Sequence, residues 1–145
     1  MIYIASDHGG YPTKLKIIKL LEKYELEYED LGTNTTDSVD YPDYAEKLAK
    51  KVVKDPNARG ILICRTGIGM SIAVNRFKGI RGALCRSEKD AFLARSHNNA
   101  NVLVLGADGC CLRRKRIIKT FLNTPFDGGR HEVRVKKLDL IEDKE

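Results

Sequence analysis

The chain has no tryptophan, four prolines and four cysteines, and no apolar run near the roughly 18 residues that a membrane-spanning helix needs. Each shortage closes a class of function. The cysteines (64, 85, 110 and 111) form no CxxC pair and no Cys/His zinc spacing. Neighbours 110 and 111 would bridge only with strain, so reduced thiols are expected. There is no GxxxxGK[ST] run for a nucleoside triphosphate and no GxSxG elbow for a serine hydrolase. The net charge of +6 admits an acidic partner, but basic residues are scattered outside Arg113-Arg114-Lys115-Arg116 and aromatics are only 7%, which argues against nucleic acid. The opening Met1-Ile2-Tyr3-Ile4 does not resemble a signal peptide, since charge and glycine follow at once. A cytoplasmic protein with no membrane partner is expected.

What is present is an alternation. At 145 residues, 42% hydrophobic and 32% charged, the chain suits one domain, residues 1–145, with a proper core. Strand patterns at Tyr3 to Ser6, Leu26 to Leu31, Gly60 to Ile63, Gly79 to Cys85 and Val102 to Leu105 alternate with helical periodicity. The helices are expected at Tyr11 to Tyr24, Tyr44 to Val53, Met70 to Phe77, Lys89 to Ser96, Leu112 to Leu122 and His131 to Ile141. The series predicts an α/β protein: a three-layer, doubly wound, five-stranded parallel sheet of Rossmann or flavodoxin-like type, with an extra C-terminal helix. Ligands in such folds sit at the carboxyl ends of the strands.

The run Cys64-Arg65-Thr66-Gly67-Ile68-Gly69 falls at such an end. Strand, glycine turn and helix start make an anion cradle, because the first N–H groups of a helix lack intrahelical acceptors. A thiol at its entrance suits proton abstraction or nucleophilic attack. A small buried structural cysteine is the plain alternative. Asp7-His8-Gly9-Gly10 ends the first strand and reads as a hydroxyl or phosphate site, or as a helix cap with a surface histidine. His97-Asn98-Asn99-Ala100-Asn101 reads equally as a catalytic histidine or as a turn, since asparagine tolerates left-handed backbone. Arg130 and Arg134, one helical turn apart, suit a phosphate clamp or a solvated basic face.

Together these pieces resemble one family. Ser6-Asp7-His8-Gly9-Gly10, Val39-Asp40-Tyr41-Pro42-Asp43-Tyr44, Cys64 to Ser71, Gly79-Ile80-Arg81, His97 to Val102 and Phe126 to His131 follow the order and spacing of type B ribose-5-phosphate isomerases. That family shares its fold with the galactose-6-phosphate isomerase subunits. The resemblance implies interconversion of ribose 5-phosphate and ribulose 5-phosphate through an enediolate, without metal or cofactor. It implies Cys64 as the base at C2; some members use glutamate at the position held here by Met70. His97 matches the group that assists ring opening, and Thr66 a residue that moves protons between O1 and O2. Asp7 and Asn98 match sugar-contacting positions, and His8, Arg130 and Arg134 phosphate ligands. Tyr41, Arg65, Gly67, Ile68 and Gly69 complete the expected substrate site. A homodimer, possible pairing into a tetramer, and an active site shared between subunits are also implied. Two positions depart from the family pattern: Arg65 replaces glycine or serine, and Asp108 replaces arginine. Isomerisation of allose or galactose 6-phosphate, a catalytically silent sugar-phosphate binder, and lastly a thiol hydrolase are the alternatives.

Overall fold

The computed structural model describes residues 1–141. Its strands are β1 (Ile2–Ser6), β2 (Tyr28–Asp30), β3 (Arg59–Cys64), β4 (Gly82–Leu84) and β5 (Val102–Gly106). Its helices are α1 (Tyr11–Lys23), α2 (Tyr41–Val52), α3 (Ile68–Val74), α4 (Glu88–Ser96), α5 (Cys111–Asn123) and α6 (Arg130–Ile141). All pairings are parallel, in the order β2-β1-β3-β5-β4. The expected α/β class with its C-terminal helix is what forms.

Hydrophobicity explains the order. The runs in β3 and β5 are nearly continuous and buried, as strands covered on both faces must be. The strand β4 is short and half-buried, so it takes the edge and β5 the interior. Side chains then alternate between two cores. Ile4, Ile61, Ile63, Leu103 and Leu105 meet Ile17, Leu21, Ile117, Ile118 and Phe121 of α1 and α5 on one face. Ala5, Leu62, Cys64, Val102 and Val104 meet Leu48, Val52, Met70 and Val74 of α2 and α3 on the other. Each fully buried Leu, Ile or Phe contributes about 1.5–3 kcal/mol. The crossovers through α1 and α4 run back along the sheet over one face, and those through α2 and α3 run forward over the other. Right-handed connection requires that division.

Several boundaries differ from the expected ones, and three of them have a visible physical cause. The helix α3 starts directly at the glycine turn and ends by Asn75, whose amide bonds the Ser71 carbonyl and both backbone groups of Gly82. The strand β4 is shorter than Gly79 to Cys85, because Gly79 turns at φ +86° and the Arg81 N–H is held by Asn101. The helix α2 begins at Tyr41, with Pro42 preset for the first turn. The last helix, α6, has Val135 as its one buried residue.

Candidate active site

Register brings the first group together. Ser6 lies opposite Ile63 and Cys64 opposite Gly106, so Asp7 follows β1 beside the thiol. Cys64 is 5% exposed. The turn that follows needs glycine: Gly67 sits at φ +80°, and a Cβ there would meet Leu84 at 2.6 Å and the Leu105 carbonyl carbon at 3.0 Å. This geometry aims the Gly67 N–H at the Cys64 Sγ (3.1 Å), so a fixed donor points at the sulfur. The Ile68 N–H donates to the Thr66 Oγ1 (3.2 Å), which leaves the exposed hydroxyl its own proton to give. The cradle expected along Arg65 to Gly69 is therefore corrected in one respect: two of its donors engage the loop's own thiol and hydroxyl.

The neighbouring turns close around it. The Asp7 Oδ1 accepts the Gly10 N–H at 2.9 Å, so part of this carboxylate's role is to cap the entrance to α1. Gly10 itself has no room, since a Cβ would stand 2.5 Å from the Ile63 oxygen. The Nδ1 of half-buried His8 accepts the Val39 N–H (3.1 Å), which puts the neutral ring's proton on Nε2, ready for an anion. Tyr41 lies over Gly69, where a Cβ would come within 2.9 Å of its ring. Ile68 is exposed at the start of α3. Arg65 is exposed and outside the left-handed region, which among described non-glycine residues holds only Glu25 and Asn99. Arginine therefore sits there without left-handed backbone strain. Asp108 shares a cavity of about 280 Å³ with Arg65, Arg86, Arg113 and Arg114, so cationic side chains line the same space as this carboxylate.

The second group lies elsewhere. His97 caps the C-terminus of α4 and precedes β5, so it occupies the amino end of the sheet. The five residues of β5 separate the two ends by about 17 Å. Asn99 and Asn101 are turn residues: Asn99, at φ +49°, accepts from Arg95 through its side chain and from Arg81 through its carbonyl, and Asn101 binds the Gly79 carbonyl and the Arg81 N–H. Burial, followed by the nearby Arg59 and Arg81, pushes the Arg95 guanidinium down to about 10. Asn98 is exposed and Arg130 and Arg134 project from α6 at the same end.

His131, which no expectation placed in the site, stacks on His97 with centroids 4.2 Å apart and planes 13° apart. Ligand atoms of His97, Asp127 and His131 lie within 4.8 Å of one another. Nearly parallel rings do not converge two in-plane lone pairs on one ion, so the geometry is that of a stack beside a carboxylate. His131 is also less basic than an ordinary histidine, through burial first, then His97, Arg130 and Arg134, with Asp127 opposing. A second missed residue is Ser6, whose hydroxyl is buried with no partner among the described residues.

A buried thiol on a glycine turn at the carboxyl end of a parallel sheet, with an imidazole and a carboxylate on the adjoining turn, marks an α/β protein with a candidate site for acid–base chemistry on an anionic ligand. The chain belongs to the ribose/galactose isomerase family, whose profile it matches over residues 2–138. It is 39% identical over 144 residues to ribose-5-phosphate isomerase B of Escherichia coli, covering 99% of this chain and 97% of that one. A crystal structure of a ribose 5-phosphate isomerase from Thermotoga maritima is 51% identical and superposes with a TM-score of 0.92, covering 96% and 97% of the two chains. That of ribose-5-phosphate isomerase B from Mycoplasma genitalium with bound ribulose 5-phosphate is 42% identical with a TM-score of 0.94, covering 99% and 97%. Among the described residues no helix is long and apolar enough to cross a membrane.

Proposed function

We propose that this protein is an aldose–ketose isomerase that interconverts ribose 5-phosphate and ribulose 5-phosphate in the non-oxidative pentose phosphate pathway, with Cys64 as base. The observation that carries the mechanism is the separation of the two groups. One chain places its thiol and its His97 at opposite ends of the sheet, so one chain alone does not assemble the site. A homodimer does, if each Cys64 faces the partner subunit's His97. Exposed apolar residues support that pairing. Ile68 and Ile72 lie on α3, the helix that follows the thiol's loop, while Phe92 on α4 and Val133 on α6 lie on the elements that carry the His97–His131 stack. A two-fold axis would cover each patch with the other.

In this reading the partner subunit's His97 exchanges a proton with the furanose ring oxygen and opens the aldose. Imidazole suits that step at neutral pH. Cys64 removes the C2 proton of the open aldehyde and returns it to C1, and Thr66 moves the hydroxyl proton between O2 and O1. Asp7, Tyr41 and the partner subunit's Asn98 hold the sugar hydroxyls, and Arg65 adds positive potential. The Gly69 N–H faces the enediolate; a fixed donor there is worth about 3 kcal/mol. The His8 Nε2–H and the partner subunit's Arg130 and Arg134 hold the phosphate, so that binding remote from the reaction positions C2. Each role falls to a side chain of this one domain, and neither metal nor cofactor is required. The substrate is an ionised ester that does not cross membranes unaided, which places the enzyme in the cytoplasm.

The test is ketose formation from ribose 5-phosphate by wild type, Cys64→Ala, His97→Ala and a mixture of the two variants. Each variant alone should lose about 10²–10⁴-fold. After subunit exchange half the dimers are mixed, and each mixed dimer holds one intact site of two. About a quarter of wild-type activity should therefore return. A mixture as inactive as its components would refute the shared site. Activity surviving in Cys64→Ala would refute the base.

A further inference from the structure

We infer that His131 is a positioning residue for ring opening: its imidazole holds that of His97 in the orientation needed to reach the ring oxygen. The inference rests on the assignment of ring opening to His97. That histidine is half-buried at a helix end, where rotation of its ring would carry either nitrogen away from the substrate. The stack on His131, at 4.2 Å and 13°, fixes the plane of the ring.

His131 is itself well anchored. Gly128 and Gly129, both at positive φ, turn the chain into α6, and the His131 N–H closes on the Gly128 carbonyl at 3.1 Å. The Asp127 N–H ties this turn to the Ser96 carbonyl, one residue before His97, at 3.0 Å. Farther along, α6 is held by buried Val135 and by Asp139 on Arg81 (3.3 Å). The groups around His131 also set its own basicity. His97 faces it from α4, Asp127 from the preceding turn, and Arg130 and Arg134 from its own helix. Burial first, then His97, Arg130 and Arg134, disfavour charge on His131, with Asp127 opposing.

Two rates on the intact protein separate this role from others. Net conversion of ribose 5-phosphate requires ring opening. Wash-in of deuterium from D2O at C1 of ribulose 5-phosphate does not, because this ketose has no free C5 hydroxyl to close a furanose. His131→Ala should lower net conversion at least ~10-fold, as small misplacements of a reacting group do, while wash-in stays within about twofold. His131→Phe, which keeps a flat ring, should recover most of the conversion. Undiminished conversion in folded His131→Ala, equal loss of both rates, or failure of phenylalanine to rescue would each overturn the inference. The controls isolate the underlying assignment: His97→Ala should spare wash-in and Cys64→Ala abolish it. Loss of neither rate in His97→Ala would mean that ring opening belongs to another group.

Discussion

The two ends of the sheet are built on opposite terms. At the carboxyl end backbone meets backbone: Gly10 under the Ile63 oxygen, Gly67 against Leu84 and Leu105, Gly69 under Tyr41. The positions there are locked by packing that admits no extra atom. At the amino end the groups project from helix ends. His97 is held by a ring stack, Arg130 and Arg134 are exposed, and α6 has a single buried residue. In the proposed mechanism the rigid end holds the base, which must reach both C2 and C1 of the substrate. In the same proposal the open end holds the acid–base group and phosphate cations, which a second chain must be able to approach. In this arrangement precision comes from the fold and completeness from assembly.

The sharpest way to break the comparison is to attack assembly while leaving the fold. Ile72→Asp on α3, or Val133→Asp on α6, places charge on a residue that is more than half exposed in one chain. Thermal stability of the chain should change little, within about 0.5 kcal/mol. If these faces meet in the dimer, sedimentation should show monomers and isomerase activity should fall at least ~10²-fold, as when a placed acid–base group is removed. Active monomers would mean that one chain completes its own site.

Attack on the rigid end should do the reverse. Gly10→Ala forces a methyl to within 2.5 Å of a backbone oxygen, and backbone on both sides must shift. A loss of about 1–3 kcal/mol is expected, or roughly 3–10 °C in Tm for a chain of this size, with activity lost through displacement of Asp7 and Cys64. Calorimetry on the variant checks it. An unchanged Tm would mean that the turn is softer than its contacts indicate.

The contrast between the ends also explains what was legible. Alternating apolar runs revealed the α/β class, and the Cys64 to Gly69 turn stood out because its parts are adjacent in sequence. The interior place of β5 was less visible, although its continuous apolar run against the half-buried β4 carried the signal. A residue between a helix and the next parallel strand must lie at the amino end, so the expected topology carried the position of His97 opposite Cys64, a consequence that became plain only in the structure. The three asparagines divided by geometry: two build the turn and Asn98 is left exposed. The His97–His131 stack joins residues far apart in sequence on an element with little buried surface, and no periodicity announces such a contact.

At the open end, acid should loosen what the rigid end keeps. Folding lowers the basicity of His131 below the ordinary 6.5, so the unfolded chain binds more protons as pH falls through that range. The group's contribution to stability is therefore complete above about 6.5 and declines on acidification toward its lowered native value. NMR titration should find the His131 midpoint below 6.5, moving upward in His97→Ala, because His97 is one of the groups that depress it. A midpoint unmoved by that substitution would show that the two rings are not electrostatically coupled.

Thiol chemistry gives the smallest and finest test. Cys110 is exposed at the start of α5, where the N–H groups of Arg113 and Leu112, and then the nearby Arg113 and Arg114 charges, lower its pKa. Cys85 is buried, and burial, reinforced by Asp90, pushes its thiol up to about 12. Alkylation follows the thiolate and its exposure, so near neutral pH iodoacetamide should label Cys110 well before Cys85, with peptide mapping as the readout. Cys64 is a third case: enclosed like Cys85 but held by the Gly67 N–H on a loop whose next residues are exposed. If that loop binds sugar phosphate, ribose 5-phosphate should slow labelling of Cys64 while leaving Cys85 unchanged. Equal protection of both would point to a general tightening of the fold, and no protection of Cys64 would detach the thiol from the substrate site.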